Sequence, residues 1–178
     1  MPSVIAACVV AELRADAGTV GVTAIDKRPI DGPIKVGPWG LYADVQADRL
    51  NHGGHDKAVY VYSEEDAAFW SAELGRDLAP GFFGENLRIE GLDPNDARIG
   101  ERWRIGTVEL EVTGPRRPCQ TFARWVGPEN ERGWVKRFTR EARVGAYLRV
   151  IHGGQVAAGD PIEVLSVPDV APTVRESI

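Results

Sequence analysis

The sequence predicts a mainly β protein of the α+β class, built as a β-barrel with a few peripheral helices. Eight short runs of β-branched and aromatic residues are bounded by Gly, Pro and Asp, which is typical of strands joined by turns. Only two or three segments carry helical signals, so the helices should lie around the strands. With 178 residues the chain is long enough for one core. We expect a single domain over residues 1–178, with its core at about residues 20–167.

The predicted strands lie at residues 4–10, 20–25, 58–62, 86–89, 103–105, 108–112, 146–151 and 162–167. Gly106-Thr107 separates two of them by two residues, which predicts a tight hairpin, and the glycine at the first turn position favours type II′ geometry. In the strand that follows this turn, three apolar residues alternate with Glu109 and Glu111. One face of that strand should therefore be exposed to solvent.

Helices are few in this sequence. Ser63 followed by three acidic residues resembles a capping box, so a helix should begin after Ser63 and end at Gly75. A second helix is predicted at about residues 132–141, where apolar residues share one face. A short helical turn is expected after Cys119. The tail at residues 168–178 contains two prolines and is expected to fray.

The composition argues against several classes of protein. The net charge of −5 is unfavourable for general nucleic-acid binding, which needs an excess of Lys and Arg to displace counterions. No stretch approaches the roughly 18 apolar residues of a membrane span, and the apolar run at residues 4–10 is typical of a strand, not of a signal peptide. Two cysteines cannot build a disulfide framework, which suits a reducing compartment. We expect a cytoplasmic protein without nucleic-acid or membrane partners.

Cys119 is the first candidate for chemistry, because it follows Arg116-Arg117-Pro118. A guanidinium close to a sulfur favours the thiolate, which is the form that attacks electrophiles and binds metals. Two readings remain open from the residues alone. Cys119 could be a nucleophile with His52 or His55 as its base, or a small buried hydrophobe at the end of a turn.

The densest polar stretch lies at residues 44–57 and leads directly into a predicted strand. Such a stretch predicts a loop held over the end of a sheet, where binding groups commonly lie. His52 and His55 are three residues apart, and the stretch also contains Asp44, Asp48 and Asp56. A metal site of histidine and carboxylate ligands is one interpretation, and a histidine-capped turn with solvated aspartates is another.

A third candidate is the turn at residues 81–87, where two glycines bracket two phenylalanines and precede Glu85 and Asn86. Backbone N–H groups in such a turn could converge on an anionic ligand. Ordinary turn chemistry explains the same residues equally well, because Asn tolerates unusual backbone angles.

Several segments of the chain, taken in order, form a pattern that covers most of it. They are Lys27-Arg28-Pro29-Ile30, Asp44-Val45-Gln46-Ala47-Asp48, His52-Gly53-Gly54, Asp56-Lys57-Ala58-Val59-Tyr60, Pro80-Gly81-Phe82-Phe83-Gly84-Glu85-Asn86-Leu87, Gly91-Leu92, Ile99-Gly100, Arg116-Arg117-Pro118-Cys119, Gly145-Ala146-Tyr147-Leu148-Arg149-Val150 and Gly159-Asp160. This pattern resembles the MOSC domain family, named for the C-terminal domain of molybdenum-cofactor sulfurase, and is most similar to its YiiM-like branch. No single motif is decisive, but their joint order is highly specific.

The resemblance implies a MOSC-type β-barrel that binds a molybdenum cofactor, a metal held by the dithiolene of a pterin. Related proteins reduce N-hydroxylated bases and amidoximes with electrons from a separate protein. The resemblance therefore implies an oxidoreductase with a small-molecule substrate and an electron-donor partner. Cys119 would be the protein ligand to molybdenum, as expected for a soft thiolate. His52 would hydrogen-bond the pterin or relay protons at the metal.

The other positions implied by the resemblance are cofactor contacts. Arg116 would stabilise the thiolate or the anionic cofactor, and Arg117 would also contact the cofactor. Lys27 and Lys57 are expected at the pterin phosphate, where a point charge suffices. The Gly84-Glu85 backbone and Asn86 would face the cofactor or the substrate. These expectations assign cofactor contacts to Lys27, Lys57, Glu85, Asn86, Arg116 and Arg117.

A non-catalytic reading of the same resemblance is a module that carries the cofactor, or carries sulfur on Cys119. Two departures from the family pattern are also visible. Ala43 stands where the family usually has glycine, and because alanine adopts a positive φ angle only at a cost, the local loop could differ. The YiiM-like members have a longer helical C-terminal region than the segment that follows Val167 here, so we expect docking or redox contacts to differ from those of that region.

Overall fold

The computed structural model describes residues 1–48, 52–127 and 132–178. Within these segments the strands are β1 (Ser3–Ala15), β2 (Val22–Pro29), β3 (Ile34–Gly37), β4 (Gly40–Leu41), β5 (Val59–Ser63), β6 (Leu87–Glu90), β7 (Arg102–Ile105), β8 (Val108–Pro115), β9 (Ala146–His152), β10 (Gly154–Val156) and β11 (Ile162–Ser166). The helices are α1 (Glu64–Leu74), α2 (Gln120–Val126) and α3 (Trp134–Glu141). The protein is therefore mainly β with few helices, as predicted.

The strands form a large sheet of eight and a small sheet of three. The order in the large sheet is β11-β7-β8-β9-β5-β6-β1-β2, and in the small sheet β10-β3-β4. Neighbouring strands are antiparallel except β5 and β6, which are parallel and joined through α1. This crossover suits a parallel pair, because parallel strands cannot be joined by a tight hairpin.

The expected closed barrel is not found in the described segments, where β11 and β2 are the edges of the large sheet. Near the start of β1 the backbone N–H of Val4 donates to the carbonyl of Asp160 at 2.9 Å. The backbone N–H of Ile162 donates to the carbonyl of Pro2 at 3.0 Å, and Ser3 and Pro161 form an isolated bridge, so the contact is limited to the first residues of β1. Barrel closure needs matched strand tilt and register around the whole sheet, and local strand signals do not specify these.

The three strands of the small sheet are missing from the sequence prediction. They contain four, two and three residues, and each includes a glycine at one end. A run this short has no recognisable period, so pairing with a neighbour decides whether it is a strand.

The hairpin between β7 and β8 confirms its prediction. Ile105 and Val108 are cross-strand partners, which leaves a two-residue turn. Gly106 has a φ angle of 57°, while Thr107 is not among the residues with positive φ, as type II′ requires. Glu109 and Glu111 lie on the more exposed face of β8 and pair with Arg102 on β7.

The helices form at their predicted places. At the start of α1 the hydroxyl of Ser63 accepts a hydrogen bond from the backbone of Asp66 at 3.2 Å, and Gly75 ends the helix in the left-handed conformation. Together the three helices enclose a second, aromatic core beside the aliphatic core of the sheets. Its fully or nearly fully buried large rings are Tyr62, Trp70, Phe83, Phe122, Trp134 and Phe138. No described helix has the length and apolarity needed to cross a bilayer.

The C-terminal tail is packed and hydrogen-bonded, in contrast to the expected fraying. Val174 is fully buried, and its N–H donates to the carbonyl of Ala97 at 2.9 Å. Arg175 forms ion pairs with Asp93 and Asp96 at 2.9 and 3.0 Å. The prolines of the tail indicated only that it is neither helix nor central strand. The side chain that enters the core decides where it packs.

Candidate functional site

A cavity of about 850 Å³ lies between the β1–β2 hairpin, the polar loop before β5, the turn before β6 and the start of α2. A volume of this size is typical of a site for a cofactor or a small molecule. The structure brings nearly all the sequence-predicted site residues to its wall: Lys27, His52, Lys57, Asn86, Arg116, Arg117 and Cys119. Glu85 is the exception.

Cys119 lies at the N-terminal cap of α2, on the cavity wall, and is partly exposed. Burial by itself would raise the pKa of its thiol. A hydrogen bond with His52, the positive charge of Arg116 and the backbone N–H of Phe122 outweigh burial and lower the pKa to about 6. Cys119 is therefore mostly thiolate at neutral pH. The neighbouring arginines in the sequence predicted a thiolate, and the structure adds His52 as a second group that lowers the thiol pKa.

Arg116 is a buried cation at the same wall, with 5% of its surface exposed. Its guanidinium lies 4.3 Å from the centre of the Phe122 ring, and one of its nitrogens donates to the carbonyl of Arg117 at 3.0 Å. Across the described segments we find no carboxylate that pairs with it, and its charge lowers the pKa of the Cys119 thiol. The aromatic contact holds the guanidinium in place, since cation–π attraction is strongest away from water.

His52 is the second predicted catalytic residue, and it is held from two sides. Its Nδ1 lies 3.3 Å from the hydroxyl of Tyr147, and its ring hydrogen-bonds Cys119. Its backbone N–H donates to the carbonyl of Asp48 at 2.9 Å. The imidazole thus connects the loop before β5 with β9 and with the start of α2. Residues 49–51 of the predicted polar loop lie outside the described residues.

Lys27 and Asn86 share a network centred on Asp44. Lys27 forms an ion pair with Asp44, and both side chains are about nine-tenths buried. The amide of Asn86 donates to Asp44 at 2.7 Å and to the carbonyl of Cys8 at 3.4 Å, while its oxygen accepts from the backbone of Tyr60 at 3.1 Å. The network joins β1, β5 and the turn before β6. The expected cofactor contacts of Lys27 and Asn86 stay predictions. Both side chains already bind Asp44 within the protein.

Lys57 and Arg117 lie farther out on the cavity wall. The ammonium of Lys57 is 5.9 Å from the centre of the Tyr147 ring. Arg117 is exposed, and its guanidinium donates to the carbonyl of Ser177 at 3.0 Å. The packed tail therefore reaches the rim of the cavity through Arg117.

Glu85 does not line the cavity, although the sequence placed it among the cofactor contacts. Its side chain is fully buried and accepts from the backbone of Gly81 at 2.8 Å and of Phe83 at 2.9 Å. It also pairs with the fully buried guanidinium of Arg88 at 2.6 Å. Both side-chain oxygens are used to close the turn. The expected cofactor contact was one of the Gly84-Glu85 backbone, and it stays a prediction.

The alternative metal site of His and Asp ligands finds no support in the described residues. His55 is exposed and turned toward Trp39, with ring centres 3.8 Å apart, and its Nδ1 lies 3.0 Å from the carbonyl of Pro38. Within residues 1–48, 52–127 and 132–178, no group of three or more His, Cys, Asp or Glu side chains is arranged to hold an ion.

Two features of the site were not predicted from the sequence. Tyr147 belongs to a segment that carried the resemblance, but only its distance to His52 shows its place. The tip of the β1–β2 hairpin also forms part of the wall, and Asp16 binds it to α2 through the hydroxyl of Thr121 at 2.9 Å and the guanidinium of Arg124 at 2.8 Å. No local motif could have indicated this contact between distant segments.

The loop that carries Asp44 keeps a left-handed turn despite its alanine. Ala43 has a φ angle of 68°, in the region that favours glycine. The carboxylate of Asp44 accepts from the backbone of Val10 at 2.9 Å and also binds Asn86, which holds the turn in this conformation. The loop therefore holds Ala43 in a conformation that costs energy for alanine.

Comparison with known proteins adds to this geometry. A family model described as MOSC domain matches residues 48–163, well over half of the chain. The chain is 37% identical over 144 residues to the uncharacterized protein YflK of Bacillus subtilis and 32% identical over 160 residues to protein YiiM of Escherichia coli. These matches cover 81% and 87% of this chain, but only 64% and 69% of those relatives. A protein named reductase from Gibberella moniliformis is 32% identical over 151 residues, which is 82% of this chain and 26% of that protein.

Solved structures agree with the fold. The crystal structure of YiiM from Geobacillus stearothermophilus superposes with a TM-score of 0.79 at 25% identity, over 99% of this chain and 81% of that one. The structure of YiiM from Escherichia coli gives 0.72 at 23% identity, over 98% and 75%, and supports the fold alone.

Proposed function

The chain belongs to the MOSC domain family, and from that premise we propose that it binds a molybdenum cofactor and reduces N-hydroxylated bases or related compounds. The observation that carries the proposal is the Cys119 thiolate on the wall of a large cavity, with its pKa lowered to about 6. The similarity to the Gibberella moniliformis protein named reductase supports an oxidoreductase. The substrate class and the cofactor are the parts that experiment must test.

The residues present fit such a cofactor. The described part of the chain offers the metal one soft ligand, Cys119, and no cage of three or more donors. A metal that arrives with sulfur ligands of its own needs only one more from the protein, and a thiolate is the ligand that a soft centre prefers. Lys57, Arg116 and Arg117 supply positive charge on the wall for the anionic parts of a pterin.

When bound, the cofactor would supply two-electron redox chemistry. The chain's own residues would do the rest. Cys119 would hold the metal, and Arg116 would keep that sulfur ionised. His52 would stand beside the sulfur, where it can hold or move a proton for the departing oxygen. The aromatic walls around Tyr60, Phe83 and Tyr147 would restrict water in the cavity.

The proposed reaction converts an N–OH group to N–H and releases water, and it consumes two electrons and two protons. Because the chain shows no flavin, heme or iron–sulfur signature in its sequence, we propose a separate electron-donor protein as the partner. We place the reaction in the cytoplasm, where cysteine thiols stay reduced.

Mass spectrometry and metal analysis of native protein from a cofactor-competent host test the proposal. We expect molybdenum and pterin in wild-type protein, together with reduction of hydroxylaminopurine or benzamidoxime by a reduced viologen. Cys119→Ala should abolish turnover. Cys8→Ala is the matched control, since Cys8 is fully buried and does not line the cavity. Folded wild-type protein without molybdenum and pterin would contradict the proposal.

The same thiolate also suits a carrier of cofactor or sulfur, and turnover separates the two functions. A carrier would contain the pterin and yet fail to reduce either substrate with any electron donor. A persulfide on Cys119 in native protein, detected by mass, would point to sulfur transfer.

A further inference from the structure

The tip of the β1–β2 hairpin, residues 15–22, forms part of the cavity wall beside the start of α2. Asp16 and Gly18 of the tip line the cavity, and so do Thr121 and Arg124 of α2. The tip and the helix therefore make up one end of the wall together. If they separated, that end of the cavity would open to solvent.

The outer half of this hairpin projects from the core. In β1, residues 6–9 are buried, whereas Ala11, Glu12 and Leu13 are exposed. Consecutive residues of a strand point to opposite faces, so both faces of β1 are in solvent at this point. A segment without a buried face has little packing that opposes its movement.

The pairing of β1 with β2 is irregular where the hairpin leaves the core. The register shifts between Val10 and Glu12 and again between Glu12 and Arg14. Such an irregularity interrupts the ladder of hydrogen bonds and bends the strand. The tip itself is closed by two backbone hydrogen bonds of its own, at 3.0 and 3.1 Å. It is therefore a small unit joined to the core by an irregular segment.

One carboxylate holds this unit against α2. In residues 1–48, 52–127 and 132–178, every hydrogen bond or ion pair from the tip to the rest of the chain involves Asp16, which accepts from the hydroxyl of Thr121 at 2.9 Å and the guanidinium of Arg124 at 2.8 Å. The Asp16 side chain is only 10% exposed, so water weakens these contacts less than it weakens those of a surface pair. Beside the tip, the guanidinium of Arg14 also lies 5.3 Å from the centre of the Trp125 ring.

We propose that the hairpin tip is a lid over one end of the cavity, that the irregular pairing around Glu12 is its hinge, and that Asp16 is the latch that keeps it closed. Breaking the contacts of this one carboxylate frees the tip from α2, while the strands of the core keep their pairing. Lids of this kind exclude water from a bound ligand and control its entry and release. The inference goes beyond the proposed function, because it holds for any ligand of the cavity.

Two variants open the latch by different routes. Asp16→Asn removes the charge and keeps the size of the side chain. Gly18→Ala keeps the charge, but a Cβ at Gly18 would lie 2.7 Å from the Asp16 carboxylate and must displace it. Gly18 is not among the glycines with positive φ, so its backbone accepts alanine without strain.

Asp93→Asn is the matched control. Like Asp16, Asp93 accepts from the backbone N–H two residues further on, that of Asn95 at 2.8 Å, and from an arginine, Arg175 at 2.9 Å. Asp93 does not line the cavity, so its change should leave the lid closed. Cys8 is fully buried, and its alkylation therefore reports unfolding of the whole domain.

The experiment uses the full chain from a host that makes no molybdenum cofactor. The first readout is hydrogen exchange of peptides that contain residues 15–22, which should be at least about fivefold faster in Asp16→Asn and Gly18→Ala than in wild type or Asp93→Asn. The second is alkylation of Cys119 at pH 8, well above its thiol pKa of about 6, by iodoacetamide and by a bulky maleimide. The maleimide rate should rise at least about fivefold in the two latch variants, and the iodoacetamide rate less, because a small reagent needs a smaller opening.

Faster exchange with unchanged alkylation of Cys119 would show that the tip moves without covering the cavity, and the lid would be wrong. If neither readout changes in the two variants, Asp16 is not a latch. Faster alkylation of Cys8 together with Cys119 would mean that the whole domain unfolds, which also overturns the lid. Absence of molybdenum from protein made in a cofactor-competent host would contradict the proposed function and leave the lid untouched.

Discussion

Cys119 and His52 are hydrogen-bonded to each other, although one begins α2 and the other lies in the loop before β5. The contact places a nitrogen donor beside a sulfur that also has the buried charge of Arg116 as a neighbour. Two independent sources of stabilisation for one thiolate are unusual for a cysteine that serves only in packing. The relationship can be tested in the protein without any cofactor.

The first prediction concerns the pH dependence of Cys119 alkylation. Because the thiol pKa is lowered to about 6, the alkylation rate should be on its plateau at pH 7.5 and fall as the pH drops below about 6. His52→Ala should move the midpoint to higher pH, since the imidazole favours the thiolate. Cys8 is the internal control: its pKa is raised to about 12 by burial, so it should react only after unfolding. A midpoint above pH 8 in wild-type protein would refute the assigned environment.

The second prediction is that the Glu85 side chain stabilises the fold, and it concerns the free energy of unfolding. Both Glu85 and Arg88 are fully buried, so Glu85→Ala would leave the guanidinium with only the partly exposed Glu64 as charge partner and would leave the N–H groups of the turn unsatisfied. The variant should destabilise the fold by about 3–5 kcal/mol. Glu64 binds the same guanidinium at 2.8 Å but is 45% exposed, and Glu64→Ala should cost less than about 1 kcal/mol. Urea denaturation of both variants measures the difference. Equal costs would mean that burial is not what makes the Glu85 pair important.

The third prediction concerns backbone strain at Ala43. Its φ angle of 68° disfavours alanine, so Ala43→Gly should raise the free energy of unfolding by about 1 kcal/mol. Ala142, with a φ angle of 51° at the end of α3, should respond with the same sign. Ala68, exposed in the middle of α1, is the opposite control, and its change to glycine should cost about 1 kcal/mol. Thermal unfolding of the three variants tests the signs, and a destabilised Ala43→Gly would count against the left-handed turn.

The fourth prediction concerns Asp16, which ties the hairpin tip to α2. Burial by itself would raise the pKa of Asp16, but hydrogen bonds from Arg124, the Gly18 backbone and Thr121 lower it overall. A lowered folded-state pKa adds stability above the unfolded pKa, near 3.9, and this stability is lost as the pH falls through the folded value. Asp16→Asn should therefore cost about 1–2 kcal/mol at pH 7 and clearly less at pH 3.

Denaturation of wild type and Asp16→Asn at the two pH values measures this difference. Glu12→Gln is the control, because Glu12 is on the same hairpin with a side chain 62% exposed, and its change should have little effect at either pH. A pH-independent cost for Asp16→Asn would show that the carboxylate charge does not hold the hairpin tip.

Much of the local structure could be predicted because its causes are local. The cap of α1 depends on Ser63 and a residue three positions on, and its end on Gly75, so sequence and structure agree there. The type II′ turn at Gly106 is likewise decided by two residues. The pairing of β3 with β10 and the packing of the tail were not predicted, because each depends on a partner that is distant in the chain. β4 has a near partner in β3, but two residues are too few to show a strand pattern.

By itself the sequence determined the strand-rich class, the helix caps and the presence of a cysteine beside basic residues. The tertiary structure alone decided that the strands of residues 1–48, 52–127 and 132–178 form no closed barrel, that the Glu85 side chain is buried outside the cavity wall, and that Tyr147 reaches His52. The physical reason is the separation along the chain of the residues that interact. Caps and turns depend on neighbours in the chain, whereas a hydrogen bond near 3 Å between distant segments exists only after the whole sheet has set their positions.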